Sequence, residues 1–137
     1  MTERGVEMKK RIEVVGAVLT YEGKIFAAQR GPGRSMENYW EFPGGKIEEG
    51  ESPREALARE LREELKLEAE IGNHILTVDH EYDFAVISLA TYFCSVSSPE
   101  IKLTEHTEYR WLEPAELYSV DWAPADIPTV DILVNEQ

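Results

Sequence analysis

With 137 residues, 42% of them hydrophobic and 9% aromatic, the chain fits one domain spanning residues 1–137, large enough to bury a real core. Its net charge of −13 argues against a nucleic-acid polymer as partner, because tracking phosphates needs a basic face. Cys94, the single cysteine, excludes a disulfide framework or a thiolate metal site. No run approaches the ~20 apolar residues of a membrane span, and the opening MTERGVEMKKRIE is too polar for a leader, so a soluble cytoplasmic protein is expected.

Ile12 to Thr20 is rich in β-branched residues and reads as a strand, Tyr21 to Lys24 as a tight turn, and Ile25 to Arg30 as the antiparallel partner. Gly31 to Asn38 reads as a loop. Trp40-Glu41-Phe42 is a short strand leading into Pro43-Gly44-Gly45, read as a turn whose bare backbone carbonyls can approach a metal. Ser52 is a good N-cap, Pro53 suits the first helical position and Glu55 completes a capping box, so a helix is predicted over Pro53–Leu65.

Ala69 to Glu81 and Phe84 to Val96 read as two long strands joined near Tyr82-Asp83, with Cys94 in the core. Thr107 to Leu112 follows as a strand, Pro114 to Leu117 as a helical turn, and Ile127 to Val134 as a closing helix. His74, His80 and His106 lack ligand spacing and read as surface or strand residues. Strands outnumber helices without regular βαβ alternation. The expected class is therefore α/β of the α+β kind, a mixed sheet with helices on its two faces.

One stretch carries the chemistry. Gly45, Glu51, Arg59, Glu60, Glu63 and Glu64 form G-x5-E-x7-R-E-Leu-x-E-E, a coincidence expected roughly once in 10^5 positions or fewer. At about 100° per residue, Glu60, Glu63 and Glu64 share one arc of the helix beside an apolar arc of Leu57, Ala58, Leu61 and Leu65. Like charges three and four apart cost about 0.2–0.5 kcal/mol per pair, a repulsion that a bound cation would relieve. Clustered carboxylate oxygens suit a hard cation such as Mg2+. The plain alternative is a solvated glutamate face. Such faces usually alternate with basic partners, whereas Arg54, Arg59 and Arg62 are expected to point largely elsewhere.

The run GKIEEGESPREALARELREEL resembles the signature box of the Nudix hydrolases, which cleave a nucleoside diphosphate linked to a further group. The resemblance extends over the Arg30 region, Trp40 to Gly45, Trp111-Leu112 and Ala123-Pro124-Ala125-Asp126-Ile127-Pro128. Those flanks look like the small MutT-type members acting on nucleoside triphosphates, and closest to those described as CTP pyrophosphohydrolases. The resemblance implies a Nudix-type α/β/α sandwich, Mg2+ or Mn2+ as cofactor, a small nucleotide substrate, and a monomer or homodimer with no membrane association. The activity it implies is conversion of a nucleoside triphosphate to monophosphate and pyrophosphate. An 8-oxo-dGTP diphosphatase and a non-catalytic nucleotide sensor are the rivals.

By the same resemblance, Glu60 and Glu64, joined by Glu63, bind the metal or activate water, with a carbonyl of Gly44 or Gly45 as a further ligand. Glu51 and Arg59 orient the loop and helix behind them. Glu105 matches an accessory carboxylate from a later loop, with Glu108 as competitor. Lys46 either contacts phosphate or pairs with a nearby acid. Arg30, Phe42 and Asp126 match positions that hold the nucleobase. A carboxylate accepts hydrogen bonds only, so Asp126 suits the N4 amino group of cytosine, though it could equally cap the closing helix. The box ordinarily continues with a glycine where this chain has Lys66, which must adopt the left-handed conformation at about 1 kcal/mol or end the helix differently.

Overall fold

The computed structural model describes residues 9–136; most of the polar opening stretch on which the expectation of no leader rests lies outside them. Seven strands and two helices follow in the order β1 (Arg11–Tyr21), β2 (Lys24–Arg30), β3 (Trp40–Glu41), β4 (Gly44–Lys46), α1 (Pro53–Leu65), β5 (Glu70–Glu81), β6 (Val86–Ser95), β7 (His106–Leu112) and α2 (Ile127–Asn135). Short 3-10 segments cover Pro114–Ser119 and Pro124–Asp126. Among the described residues no helix is long and apolar enough to cross a membrane.

β1 and β2 join through a two-residue turn in which Glu22 and Gly23 both have positive φ, 50° and 82°, as a hairpin twisting with its strands requires. Beyond Thr20↔Ile25 and Tyr21↔Lys24 the two strands part company. β1 runs parallel to β6 along its length, and its other edge takes β4. β2 pairs with β7 and with β3. The β3–β4 segment therefore crosses between the diverging strands, with Phe42-Pro43 at the crossing. This cleft in a mixed sheet positions the site.

Side-chain alternation separates two cores. Val15, Ala17 and Leu19 of β1 and Phe26 and Ala28 of β2 face α1, meeting Leu57, Leu61 and Leu65. Each of those leucines is fully buried, worth about 1.5–3 kcal/mol apiece. Val18, Ile25 and Ala27 face the opposite way, onto Leu117 of the first 3-10 segment, Trp122 in the connection after it, and Val130 and Leu133 of α2. Helices thus cover both faces of the sheet, as expected. Cys94 lies in the α1-facing core, where burial pushes its thiol up to about 12.

α1 begins and ends as its sequence dictates. The Ser52 hydroxyl accepts from the Glu55 amide at 3.1 Å and the Glu55 carboxylate accepts from the Ser52 amide at 2.9 Å. At the far end Lys66 adopts φ 54°, ψ 40°, with its amide donating to the Arg62 carbonyl and the Leu67 amide to that of Leu61. The helix keeps the left-handed cap without its glycine.

Candidate active site

The Pro43-Gly44-Gly45 turn expected from the sequence is instead the entry to a strand. Gly44, Gly45 and Lys46 pair antiparallel with Gly16, Val15 and Val14, and the Pro43 carbonyl accepts from the Ala17 amide at 2.7 Å. The glycines are needed for close approach. A Cβ on Gly44 would stand 1.9 Å from the Val15 carbonyl oxygen, and one on Gly45 would stand 2.5 Å from the Glu60 carboxylate. β4 therefore lies directly against the acidic face of α1. The Gly44 amide donates to Glu64 Oε1 at 3.3 Å.

The carboxylates of the box do not share one environment. Glu64 is mostly buried, and desolvation first, then the charges of Glu41, Glu60 and Glu105, push its carboxyl up to about 8. Glu60 is raised as well, by burial opposed by Arg59. Glu63 is 61% exposed. Arg59 does not point elsewhere, contrary to expectation; its guanidinium sits among the acids. It donates to both Glu51 oxygens at 2.6 and 2.9 Å, to Glu60 at 3.1 Å, to Glu63 at 3.2 Å and to the Lys46 carbonyl at 3.0 Å. The spacing argument failed because a long side chain swings across the adjacent arc. Arg59 holds the Glu51 carboxyl down at about 2.

Glu105 pairs with Arg34 at 2.9 Å and faces the same acids, whereas its competitor Glu108 pairs with Arg110 at 3.1 Å. Among the described residues no group of three or more Asp, Glu, His or Cys side chains converges tightly enough to hold an ion as it stands. The donors are nevertheless of the right kind. They are hard oxygens, and in Glu60 and Glu64 burial first, then the charges of neighbouring acids, raises carboxyls that a cation would restore to their charged form.

Beside the carboxylates lies a cavity of about 450 Å³. Ile12, Val14, Phe42 and Leu89 give it apolar walls, Gly44, Gly45 and Lys46 form its border with the acidic face, and Arg30 and Asp126 supply polar groups. Among the described residues no acid lies within 4.0 Å of the Lys46 ammonium, which leaves its pairing alternative without a partner. Segment 121–123 explains how Asp126 arrives: the Trp40 amide donates to the Asp121 carbonyl and the Ala123 amide to that of Trp40, each at 2.8 Å. Phe42 packs on Trp122 with ring centroids 4.6 Å apart.

Asp126 is 6% exposed and occupies the N-cap position of α2, as its capping alternative expected, but its side chain makes no capping hydrogen bond there. Burial, then the charge of Glu41, raises its carboxyl well above the usual range; the Phe42 backbone amide and Arg30 oppose this only in part. This environment favours the protonated carboxyl, which can donate as well as accept. The sequence argument for cytosine rests on the ionised, acceptor-only form, which burial disfavours.

Two residues at the junction were missed. Glu41 Oε1 accepts from Arg30 Nη1 at 2.9 Å and Glu41 Oε2 from His106 Nε2 at 2.8 Å. His106 does begin β7, but its side chain is only 3% exposed rather than on the surface. Neither residue carried a periodic signal, although Glu41 lies inside the Trp40–Gly45 stretch that carries the resemblance.

This architecture and its glutamate-lined helix define a Nudix-type fold, and comparison with known proteins agrees. Residues 10–131 match the family described as NUDIX domain, and the chain belongs to it. It is 39% identical over 122 residues to the CTP pyrophosphohydrolase of Escherichia coli strain K12, covering 89% of this chain and 90% of that one. It is 33% identical over 129 residues to the 8-oxo-dGTP diphosphatase of Haemophilus influenzae, covering 93% and 95%. A solved structure titled as the mismatch repair protein MutT, family Nudix hydrolase, of methicillin-resistant Staphylococcus aureus 252 superimposes with TM-score 0.78 at 45% identity, covering 95% of this chain and all of that one.

Proposed function

We propose that the chain is a divalent-metal-dependent pyrophosphohydrolase that adds water across the α–β anhydride of a nucleoside triphosphate, releasing the monophosphate and pyrophosphate. The observation that carries this reading is one shared wall: β4 borders the nucleotide-sized cavity on one side and touches Glu60 and Glu64 on the other. A base seated against Phe42, Arg30 and Asp126 directs its phosphates past Lys46 to those carboxylates. Relatives named for CTP and for 8-oxo-dGTP hydrolysis support the same reaction.

Glu60, Glu63, Glu64, Glu105 and a carbonyl of Gly44 or Gly45 would hold Mg2+, or Mn2+ in its place. When bound, such an ion neutralises phosphate oxygens and lowers the pKa of a coordinated water. The chain's own residues supply the rest. Arg59, locked to Glu51, fixes the rotamer of Glu60. Glu60 or Glu64 takes the proton of the attacking water. Lys46 offers a point charge to phosphate, and the apolar wall excludes water from the base.

Cytosine triphosphates are the substrates favoured by the higher identity. An oxidised purine is favoured by one specific observation, the burial of Asp126, which favours the protonated carboxyl that can donate to an O6 acceptor. A panel of CTP, dCTP, 8-oxo-dGTP and the common triphosphates, assayed for pyrophosphate release with Mg2+, separates these readings. Tight nucleotide binding without release from any of them would instead indicate a sensor.

A further inference from the structure

Arg30 and Glu41 line both the large cavity and a small polar recess behind it that also contains Arg34, Glu64, Glu105 and His106. They are the hinge between base pocket and acidic face, and their geometry is fully specified. Arg30 Nε donates to the Ser35 carbonyl at 2.7 Å and Nη1 to Glu41 Oε1 at 2.9 Å. That fixes the guanidinium only if Glu41 is itself fixed. Glu41 belongs to a two-residue strand, has one oxygen on Arg30, and has its other oxygen on His106 Nε2 at 2.8 Å.

A carboxylate accepts only, so Nε2 carries the hydrogen. His106 Nδ1 is buried with no partner among the described residues. An unpaired buried polar atom disfavours a site unless its other end secures something. The ring is therefore not held in place by a network of its own. Its single hydrogen bond is spent on Glu41.

We propose that His106 is a positioning residue for nucleotide recognition: it pins Glu41, which in turn aims Arg30 into the base cavity. The inference rests on the nucleotide reading of that cavity but not on catalysis. His106 does not touch the substrate. Its removal frees the far oxygen of Glu41, lets the carboxylate rotate, and loosens Arg30 while leaving Glu60 and Glu64 in place.

The test is equilibrium binding of CMP and 8-oxo-dGMP to the full chain without metal, alongside KM and kcat for the preferred triphosphate. His106→Leu is expected to weaken the better-bound monophosphate by about tenfold and raise KM similarly, with kcat changed less than about threefold. His106→Gln, whose Nε2 reaches as far as the ring nitrogen, is expected to restore affinity to within about threefold. Should His106→Leu not fold, His106→Asn, too short to reach Glu41, takes its place. Unchanged affinity in the truncated variant overturns the proposal. So does a loss that His106→Gln fails to restore, or a parent protein that binds neither monophosphate. Failure of the hydrolase reading is a separate result, absence of pyrophosphate release, and the binding comparison stands regardless of it.

Discussion

Glu64 illustrates how one side chain can oppose stability and serve function. Its ordinary pKa is 4.5, and burial beside three other acids raises it to about 8. Between those values the unfolded chain releases a proton that the folded chain retains. Metal-free protein therefore loses stability as pH rises through this window, on the order of a few kcal/mol in all, and Glu64 contributes no pH dependence below it. With a chelator present, Glu64→Gln should melt several degrees above the parent at pH 8, the gap closing towards pH 5. Thermal scans at the two pH values check it; equal melting at both would place the carboxylate in a wetter environment than its burial implies.

Asp126 is the second residue whose environment matters more than its identity. If Asp126 reads the base in its protonated form, donating and accepting, Asp126→Asn, which also does both, should change kcat/KM less than about tenfold on the preferred substrate. Asp126→Ala should cost roughly ten- to a hundredfold by leaving the base unpaired. Comparing the two variants on CTP and 8-oxo-dGTP decides it. Equal losses in both variants would show that the site requires an ionised acceptor.

At the scale of elements, α1 was legible almost residue for residue because its signals are local. Ser52, Pro53 and Glu55 fix its start, and its apolar stripe fixes its buried face. Its end exposes a strain that the sequence also anticipated. Lys66 sits at φ 54°, where a β-carbon is unfavourable, so Lys66→Gly should stabilise the fold by about 1 kcal/mol, offset slightly by the glycine's greater freedom when unfolded. A shift of the urea midpoint to higher concentration at unchanged m-value is the expected reading. β4 behaved differently. Gly44-Gly45 reads locally as a turn, and only the approach of β1 makes it a strand, a contact about thirty positions away in sequence. Gly45→Ala should consequently displace the Glu60 carboxylate and lower kcat by about tenfold or more with little loss of melting temperature, since the obstructing atoms end a side chain rather than belong to backbone.

Across the whole molecule, the elements other than β4 and their two-faced packing followed from periodicity and caps, while long-range pairing did not. Nothing local says that β1 runs parallel to β6, or that Arg59 reaches across the helix to Glu51 and Glu60. Glu41 and His106 were invisible for the same reason: each matters through a partner 65 residues distant. Asp126 was found by resemblance, but the burial that raises its carboxyl exists only in the assembled fold.

The central claim is that the carboxylates against β4 drive hydrolysis of the nucleotide seated in the adjoining cavity. Steady-state pyrophosphate release from CTP with Mg2+ tests it most directly, comparing the parent with Glu60→Gln and Glu64→Gln at matched folding. The account predicts kcat lower by about 10²-fold or more in each variant, the range expected for loss of a metal ligand or general base. Near-parental turnover in both would contradict it and move the chemistry away from this face of α1.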